Sequence, residues 1–373
     1  MTNLRLAVIG GGHLGRIHAK LANSNEHFDV VAVADPSPAS RELVGEQLGL
    51  PCVSDYKELV GRIDAAVVAA PTVNHYEITS TLLREGIDCL VEKPLTHSAD
   101  QADRLVQIAK SRGRTLQVGH VERFNPAWTT VQPYVSQPKF IEAVRSGGYS
   151  GRSTDIGVVM DLMIHDLDLI LSIERSPLIN VQASGLAVVG SHEDIAEARL
   201  EFESGCIANI RASRLATAPT RQMQVYSAGG YADINFSSDE VKVISPSEAV
   251  LARSITLDEL PAAERMEQKE RIFEDFLHCK TLSAPKRNAI LDEQNDFAIS
   301  IQTKADPAVS GDDGARAVSA ATRIVEAVSQ HKWDGSSSKP WRIGALASQS
   351  PSILPLAPVA GDQTGQDQKR RAG

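Results

Sequence analysis

Asp161, His165 and Asp168 fall in the run Met160-Asp161-Leu162-Met163-Ile164-His165-Asp166-Leu167-Asp168. A helix puts residues four and three apart on one face, so the spacing predicts a polar stripe on an otherwise apolar helix. An imidazole oriented by a carboxylate is a general base suited to neutral pH. By itself the pattern fits a surface helix with solubilising acids and a satisfied core histidine more readily than a catalytic pair. A second group could act with it. Glu92-Lys93-Pro94 follows the strand expected at Asp88-Cys89-Leu90-Val91, which places Lys93 at a strand exit. There it can hydrogen-bond a substrate hydroxyl or relay its proton, and a solvated turn lysine is the equal alternative. The Lys93-Pro94 bond is a candidate cis peptide.

Redox work by such groups needs a cofactor, and the first residues carry a seat for one. Leu4-Arg5-Leu6-Ala7-Val8-Ile9 runs into Gly10-Gly11-Gly12-His13-Leu14-Gly15. A buried strand, a glycine turn and a helical pattern follow one another. Gly10 permits the sharp turn, Gly12 the approach of backbone to a pyrophosphate, and Gly15 the close packing of helix on strand. His13 and Leu14 open that helix, whose N–H groups and partial positive charge suit phosphates. A second apolar run, Val30 to Ala34, ends in Asp35. An acid about 20 residues after the glycines is placed to hold ribose hydroxyls. A carboxylate there repels a 2′-phosphate, which favours NAD over NADP, although Arg41 keeps NADP open.

The elements between these residues alternate. Strands are expected at 4–9, 30–34, 51–53, 64–70, 88–91 and 115–119, with helices at 39–48, 56–60, 74–85 and 99–112. That order means a doubly wound parallel sheet, whose ligands lie beyond the carboxyl ends of its strands. Gly10, Gly12, His13, Leu14 and Gly15, then Asp35, Pro71, Thr72, Asn74 and His75, then Glu92, Lys93 and Pro94, then His120, should converge there. After His120 come short alternating strands from 140 to 244, broken by a helix over 159–173 and followed by helices at 264–280 and 314–330. This reads as a mostly antiparallel sheet with one covered face.

Composition excludes other classes. A length of 373 residues suits two domains, and the net charge of −9 with no basic run argues against nucleic-acid binding. No apolar run reaches the ~20 residues needed to span a bilayer. The chain opens on a core strand rather than a signal peptide. Cys52, Cys89, Cys206 and Cys279 are scattered and lack zinc spacing, so reduced thiols in the cytoplasm and no metal are expected.

The glycine turn, Glu92-Lys93-Pro94 and D-x-x-x-H-D at 161–166 together resemble the glucose–fructose oxidoreductase/inositol dehydrogenase (Gfo/Idh/MocA) family. The resemblance covers about residues 4–330. It implies a Rossmann domain (1–122) and a substrate-binding and dimerisation α+β domain on an open, mostly antiparallel sheet (123–342); the remaining 343–373, rich in Ala, Ser, Pro, Gly and Gln, reads from composition as a disordered tail. It also implies NAD(P)-dependent oxidation or reduction of a sugar or cyclitol hydroxyl, in dimers or tetramers paired through that sheet. By the match, Lys93 takes the catalytic-lysine position, and Asp161 and His165 those of the substrate-binding acid and the catalytic histidine. A finer match, through Gly119-His120-Val121-Glu122-Arg123-Phe124-Asn125-Pro126 and Ala212-Ser213-Arg214, resembles the branch of UDP-N-acetylglucosamine 3-dehydrogenases. Under it, His120 and Arg123 join the substrate contacts, and Arg123, Arg211 and Arg214 could meet a diphosphate or be ordinary surface arginines. A dehydrogenase of a free sugar, sugar phosphate or inositol, a reductase of a non-sugar such as a tetrapyrrole, and a non-catalytic NAD-binding regulator are the alternatives.

Overall fold

The computed structural model describes residues 3–149, 151, 156–189, 191–238, 240–254, 257–331 and 341–342. The segment read as a tail, 343–373, lies outside the described residues.

The first sheet is built from β1 (Leu4–Ile9), β2 (Phe28–Ala34), β3 (Cys52–Val53), β4 (Ala65–Val68), β5 (Asp88–Glu92) and β6 (Leu116–Gly119). Its strand order is β3-β2-β1-β4-β5-β6, and every neighbouring pair is parallel. Alternation explains the layering. Leu6 and Val8 face a core that also holds Ala19 and Ala22 of α1 (His13–Asn23) and Val44 of α2 (Pro38–Leu48). Ala7 and Ile9 face the other core, with Leu82 of α3 (Thr72–Arg84) and Leu105 of α4 (Ala99–Arg112). The small side chains of β4, all fully buried, let helices lie close on both faces.

The second region contains α5 (Pro126–Val131), β7 (Pro138–Ser146), a π-helical turn (Val159–Met163) running into α6 (Ile164–Ile173), and then β8 (Leu178–Ala187), β9 (Ile195–Phe202), β10 (Ile207–Ser213), β11 (Thr220–Ser227), β12 (Gly230–Asn235) and β13 (Glu240–Pro246). It continues with α7 (Glu248–Leu251), α8 (Ala262–Glu270), β14 (Leu277–Ser283), α9 (Ala289–Thr303), α10 (Gly311–Gln330) and β15 (Trp341–Arg342). The nine-stranded sheet runs β14-β13-β12-β11-β7-β10-β9-β8-β15. Pairs β7–β10 and β8–β15 are parallel and the rest antiparallel. Ile141, Ala143, Ala208, Ile210, Met223 and Val225 are buried on the covered face. On the other face Tyr226 stacks on Tyr231, with ring centroids 4.9 Å apart, and Phe140 tilts against Tyr226 at 5.9 Å.

Two expectations change. The helix expected over 264–280 stops at Glu270, and residues from Leu277 form an edge strand, paired from Glu240↔Ser283 to Pro246↔Leu277. The open edge of β13 supplies a ladder of backbone partners, and that pairing outweighs local helical spacing. Helix α9, absent from the sequence reading, buries Phe297, Ala298 and Ile301 against Leu6 and Val8. Packing therefore crosses the boundary expected after residue 122. Among the described residues no helix is long and apolar enough to cross a membrane.

Candidate active site

The glycine turn behaves as its spacing implies. Gly10 has φ of +110°, and a Cβ there would lie 2.6 Å from the Ala69 carbonyl oxygen. At Gly15 a Cβ would sit 1.8 Å from the Gly10 oxygen, so only glycine lets α1 approach β1. A side chain on Gly12 would meet no protein atom within 4 Å. That open space above the start of α1, beside the unpartnered backbone donors of a helix N-terminus, fits a pyrophosphate. Asp35 closes the pocket from β2: its carboxylate accepts N–H groups from Gly11 (2.7 Å) and Ser37 (2.8 Å). The Arg41 guanidinium is tied to the carbonyls of Asp35 and Pro36.

The other strand exits divide into contact surface and clamp. Pro71, Thr72 and Asn74 form the exposed or half-exposed start of α3 beyond β4. His75 was expected to meet the cofactor; instead it is buried, with ring nitrogens on the carbonyls of Ala70 (2.8 Å) and Pro94 (3.0 Å). It ties the exits of β4 and β5 together. Burial holds its imidazole below the ordinary histidine range, although both carbonyls favour a charged ring. Glu92 likewise turns inward, accepting from His18 Nε2 (2.7 Å) and Lys93 N–H (3.1 Å). Burial would raise this carboxyl, but His18 and Lys93 hold it below the usual range. The Lys93-Pro94 peptide is cis.

Behind Glu92 lies a cluster that the sequence reading missed. Glu293 of α9 is fully buried and neither carboxylate oxygen has a hydrogen-bond partner. One of its oxygens, a ring nitrogen of His18 and an oxygen of Glu92 lie within 4.8 Å of one another. His18 and Glu92 sit at hydrogen-bond distance, closer than two ligands around a zinc-sized ion. Burial first, and the Glu92 charge second, push Glu293 well above the carboxylate range, which favours its protonated form. The folded chain thus keeps a proton that the unfolded chain releases. Glu293's share of stability is whole below about its ordinary value of 4.5 and declines as pH rises toward the folded value. Glu293→Gln is therefore expected to lose less Tm than wild type between about pH 5 and pH 8; equal losses in thermal melts refute a buried proton.

Lys93 reaches away from this cluster to the second domain. Its Nζ donates to the Asp161 carbonyl (2.7 Å) and to Asp161 Oδ1 (3.3 Å). The expected α-helix over 159–173 begins with the π-helical turn Val159–Met163. Such a turn moves carbonyls off the ordinary i→i−4 ladder, and Asp161's oxygen accepts Lys93 instead. Asp161 was expected to orient His165; its carboxylate pairs with Lys93 and makes no bond to the imidazole. Asp168 leaves the polar stripe too. It accepts both Nε (2.6 Å) and Nη2 (2.9 Å) of Arg123. Arg123 is buried by this fork, so its expected role on substrate gives way to a structural one. His120 is fully buried with both ring nitrogens unpartnered, and burial lowers its pKa.

His165 and Asp161 line a cleft of about 480 Å³ with Arg145, Arg214, Arg221 and Tyr149. His165 Nδ1 is buried without a partner, leaving Nε2 as the nitrogen for the cleft. Burial, then the charges of Lys93 and Arg145, hold this imidazole well below the histidine range, so it is neutral and able to take a proton. Arg145 donates to Asp166 (2.8 and 3.1 Å) and Glu122 (2.7 Å). Arg214, which from sequence could meet a diphosphate or be an ordinary arginine, is buried against Asp194 at 2.6 Å. Arg211 is exposed on β10, outside the cleft lining. Arg145 and Arg221, which do line it, stand in strands with no motif to mark them.

A dinucleotide-shaped strand edge facing a lysine–carboxylate pair and a neutral imidazole is the frame of a nicotinamide-dependent oxidoreductase. Residues 4–120 match the GFO_IDH_MocA model, described as an oxidoreductase family with an NAD-binding Rossmann fold, and residues 127–233 match the GFO/IDH/MocA C-terminal domain. The chain belongs to the Gfo/Idh/MocA oxidoreductase family. UDP-N-acetylglucosamine 3-dehydrogenase of Acidithiobacillus ferrooxidans is 34% identical over 245 residues, spanning 65% of this chain and 77% of that protein. A solved structure of that enzyme superposes with a TM-score of 0.77 at 29% identity, covering 88% of this chain and 98% of the other. Inositol 2-dehydrogenase of Rhizobium meliloti is 24% identical over 346 residues, 88% of this chain and 98% of that protein. Levoglucosan dehydrogenase, solved with NADH and levoglucosan, shares the fold at 16% identity and a TM-score of 0.74, covering 89% of this chain and 99% of the other.

Proposed function

We propose that this chain is an NAD-dependent dehydrogenase of a nucleotide sugar that oxidises the 3-hydroxyl of UDP-N-acetylglucosamine to a ketone. The observation that carries the reading is the Lys93–Asp161 bond at the wall of the cleft holding His165. The 34% identity to the Acidithiobacillus enzyme supports the substrate. Gly10, Gly12, His13, Leu14 and Gly15 would hold the pyrophosphate and Asp35 a ribose, with Pro71, Thr72, Asn74 and Pro94 on the same edge. The charge of Asp35 favours NAD over NADP.

Bound nicotinamide dinucleotide supplies the hydride acceptor. The chain's own groups handle the proton and the charge. A lysine ammonium has three N–H donors; Lys93 spends two on Asp161 and keeps one for the substrate hydroxyl. His165 takes the hydroxyl proton at Nε2. Negative charge that develops on the sugar oxygen then faces an ammonium held in place by Asp161. Four free thiols, Cys52, Cys89, Cys206 and Cys279, support a cytoplasmic setting. The half-buried aromatic row of Phe140, Tyr226 and Tyr231 on the sheet's second face supports a homodimer or homotetramer paired through the open sheet.

Mixing the enzyme with NAD and UDP-N-acetylglucosamine should raise the reduced-nicotinamide absorbance, with kcat/KM well above that for the free sugar, its 1-phosphate or myo-inositol. Turnover of inositol beside an inert nucleotide sugar would move the assignment to the cyclitol dehydrogenases.

A further inference from the structure

A second groove, of about 820 Å³, joins the cleft that holds His165. It is lined among others by Val121, Glu122, Arg221, Phe236, Lys286 and Arg287, and the first three line both spaces. We infer that this groove seats the nucleoside diphosphate half of the substrate, with Arg221 and Lys286 on its phosphates. The inference rests on the nucleotide-sugar reading above and adds the subsite.

Charge accounting separates these two cations from their neighbours. Arg145 is neutralised by Asp166 and Glu122, Arg214 by Asp194, and Arg287 lies 3.3 Å from Asp292. Glu122, the carboxylate in the groove wall, is committed to Arg145 and to Asn125 Nδ2. The side chains of Arg221 and Lys286 make no hydrogen bond or ion pair among the described residues. Arg221, whose charge reaches Asp166 without pairing with it, and Lys286 are two cations with no bonded carboxylate on one concave surface; they are a complement for a dianion, and guanidinium matches phosphate geometry in particular.

Continuity fixes the order of the ligand. Arg221 is near enough to His165 for its charge to act on the imidazole, so it stands at the junction of sugar and phosphates. Lys286 lies in the loop between β14 and α9, farther along the groove. Phe236 forms part of the floor, its ring 5.9 Å from the Arg145 guanidinium on the cleft side. A sugar ring occupies the smaller cleft, whereas the diphosphate and nucleoside need the larger space beyond it.

The test titrates UDP into NAD-loaded enzyme by calorimetry, for wild type, R221Q and K286Q, and measures kinetics with UDP-N-acetylglucosamine. Each variant is expected to weaken UDP binding about 10-fold or more, the loss of one charge-assisted hydrogen bond. NAD affinity should stay unchanged. K286Q should raise KM by a similar factor with kcat retained, since Lys286 is remote from the proton acceptor. UDP binding equal in all three proteins overturns the groove. Full wild-type turnover of the nucleotide sugar, with KM unmoved in both variants, overturns the groove and leaves the proposed function standing. UDP binding that depends on Arg221, beside no turnover of the nucleotide sugar, overturns the function and leaves the groove.

Discussion

Asparagine in place of His165 is expected to lower kcat by about 10²–10⁴-fold, the usual worth of a positioned general base. NAD binding should change little, because the imidazole faces the cleft with Asp161, away from the glycine turn. Lys93→Met is expected to fall by about 10²–10³-fold, as when one donor to a developing oxyanion is removed. The pH profile separates their roles. Burial and the charges of Lys93 and Arg145 place the folded His165 pKa well below the ordinary 6.5. The base form therefore persists below that value, and the acid limb of kcat/KM in wild type should lie well under pH 6.5. H165N should lack that limb. The limb survives in K93M, moved upward because one neighbouring positive charge has gone. Stability carries the same sign: the unfolded chain takes up a proton that the folded imidazole refuses, so acidification through 6.5 costs stability. Full turnover in both variants would end the proposed mechanism.

What the sequence disclosed followed the range of the forces involved. The glycine turn was legible because φ at Gly10 and the approach at Gly15 are properties of a few adjacent residues. Strand and helix alternation was legible for the same reason, as was the end of β2 at Asp35. The roles of His75 and Glu92 were not. Both stand where a cofactor contact is expected, yet their side chains turn to Pro94 and His18, partners 19 and 74 residues away. Arg145 meets Asp166 and Glu122 across 21 and 23 residues, and nothing in its own strand announces them. The π-helical turn hides because a four-residue spacing reads as α-helix. Helix α9 carries Phe297, Ala298 and Ile301 at helical spacing, but the surface they cover belongs to strands near the N-terminus. A sequence pattern shows that a face must be buried; it does not say against what.

Removing Arg145 gives the largest expected loss of stability. Its side chain is 5% exposed, and it balances Asp166 at 2% and Glu122 at 9%. In Arg145→Met both carboxylates stay behind without their cation. Breaking a buried pair in this way costs about 3–5 kcal/mol, a fall in Tm of roughly 10 °C for a protein of this size. The deficit should depend on pH. Burial already raises the Asp166 carboxyl while Arg145 pulls it down; without the guanidinium it rises further. A carboxyl raised on folding contributes fully below its unfolded value and loses that contribution as pH climbs. R145M should therefore lie nearer to wild type at about pH 5 than at pH 8. Adding E122Q and D166N removes the stranded charges and should recover much of the loss, since apolar or neutral replacements of a buried triad are often tolerated. Thermal melts of the single and triple variants at both pH values decide the matter. A single variant within about 1 kcal/mol of wild type would mean that the triad is solvated in solution, and that the wall behind His165 is softer than its buried contacts imply.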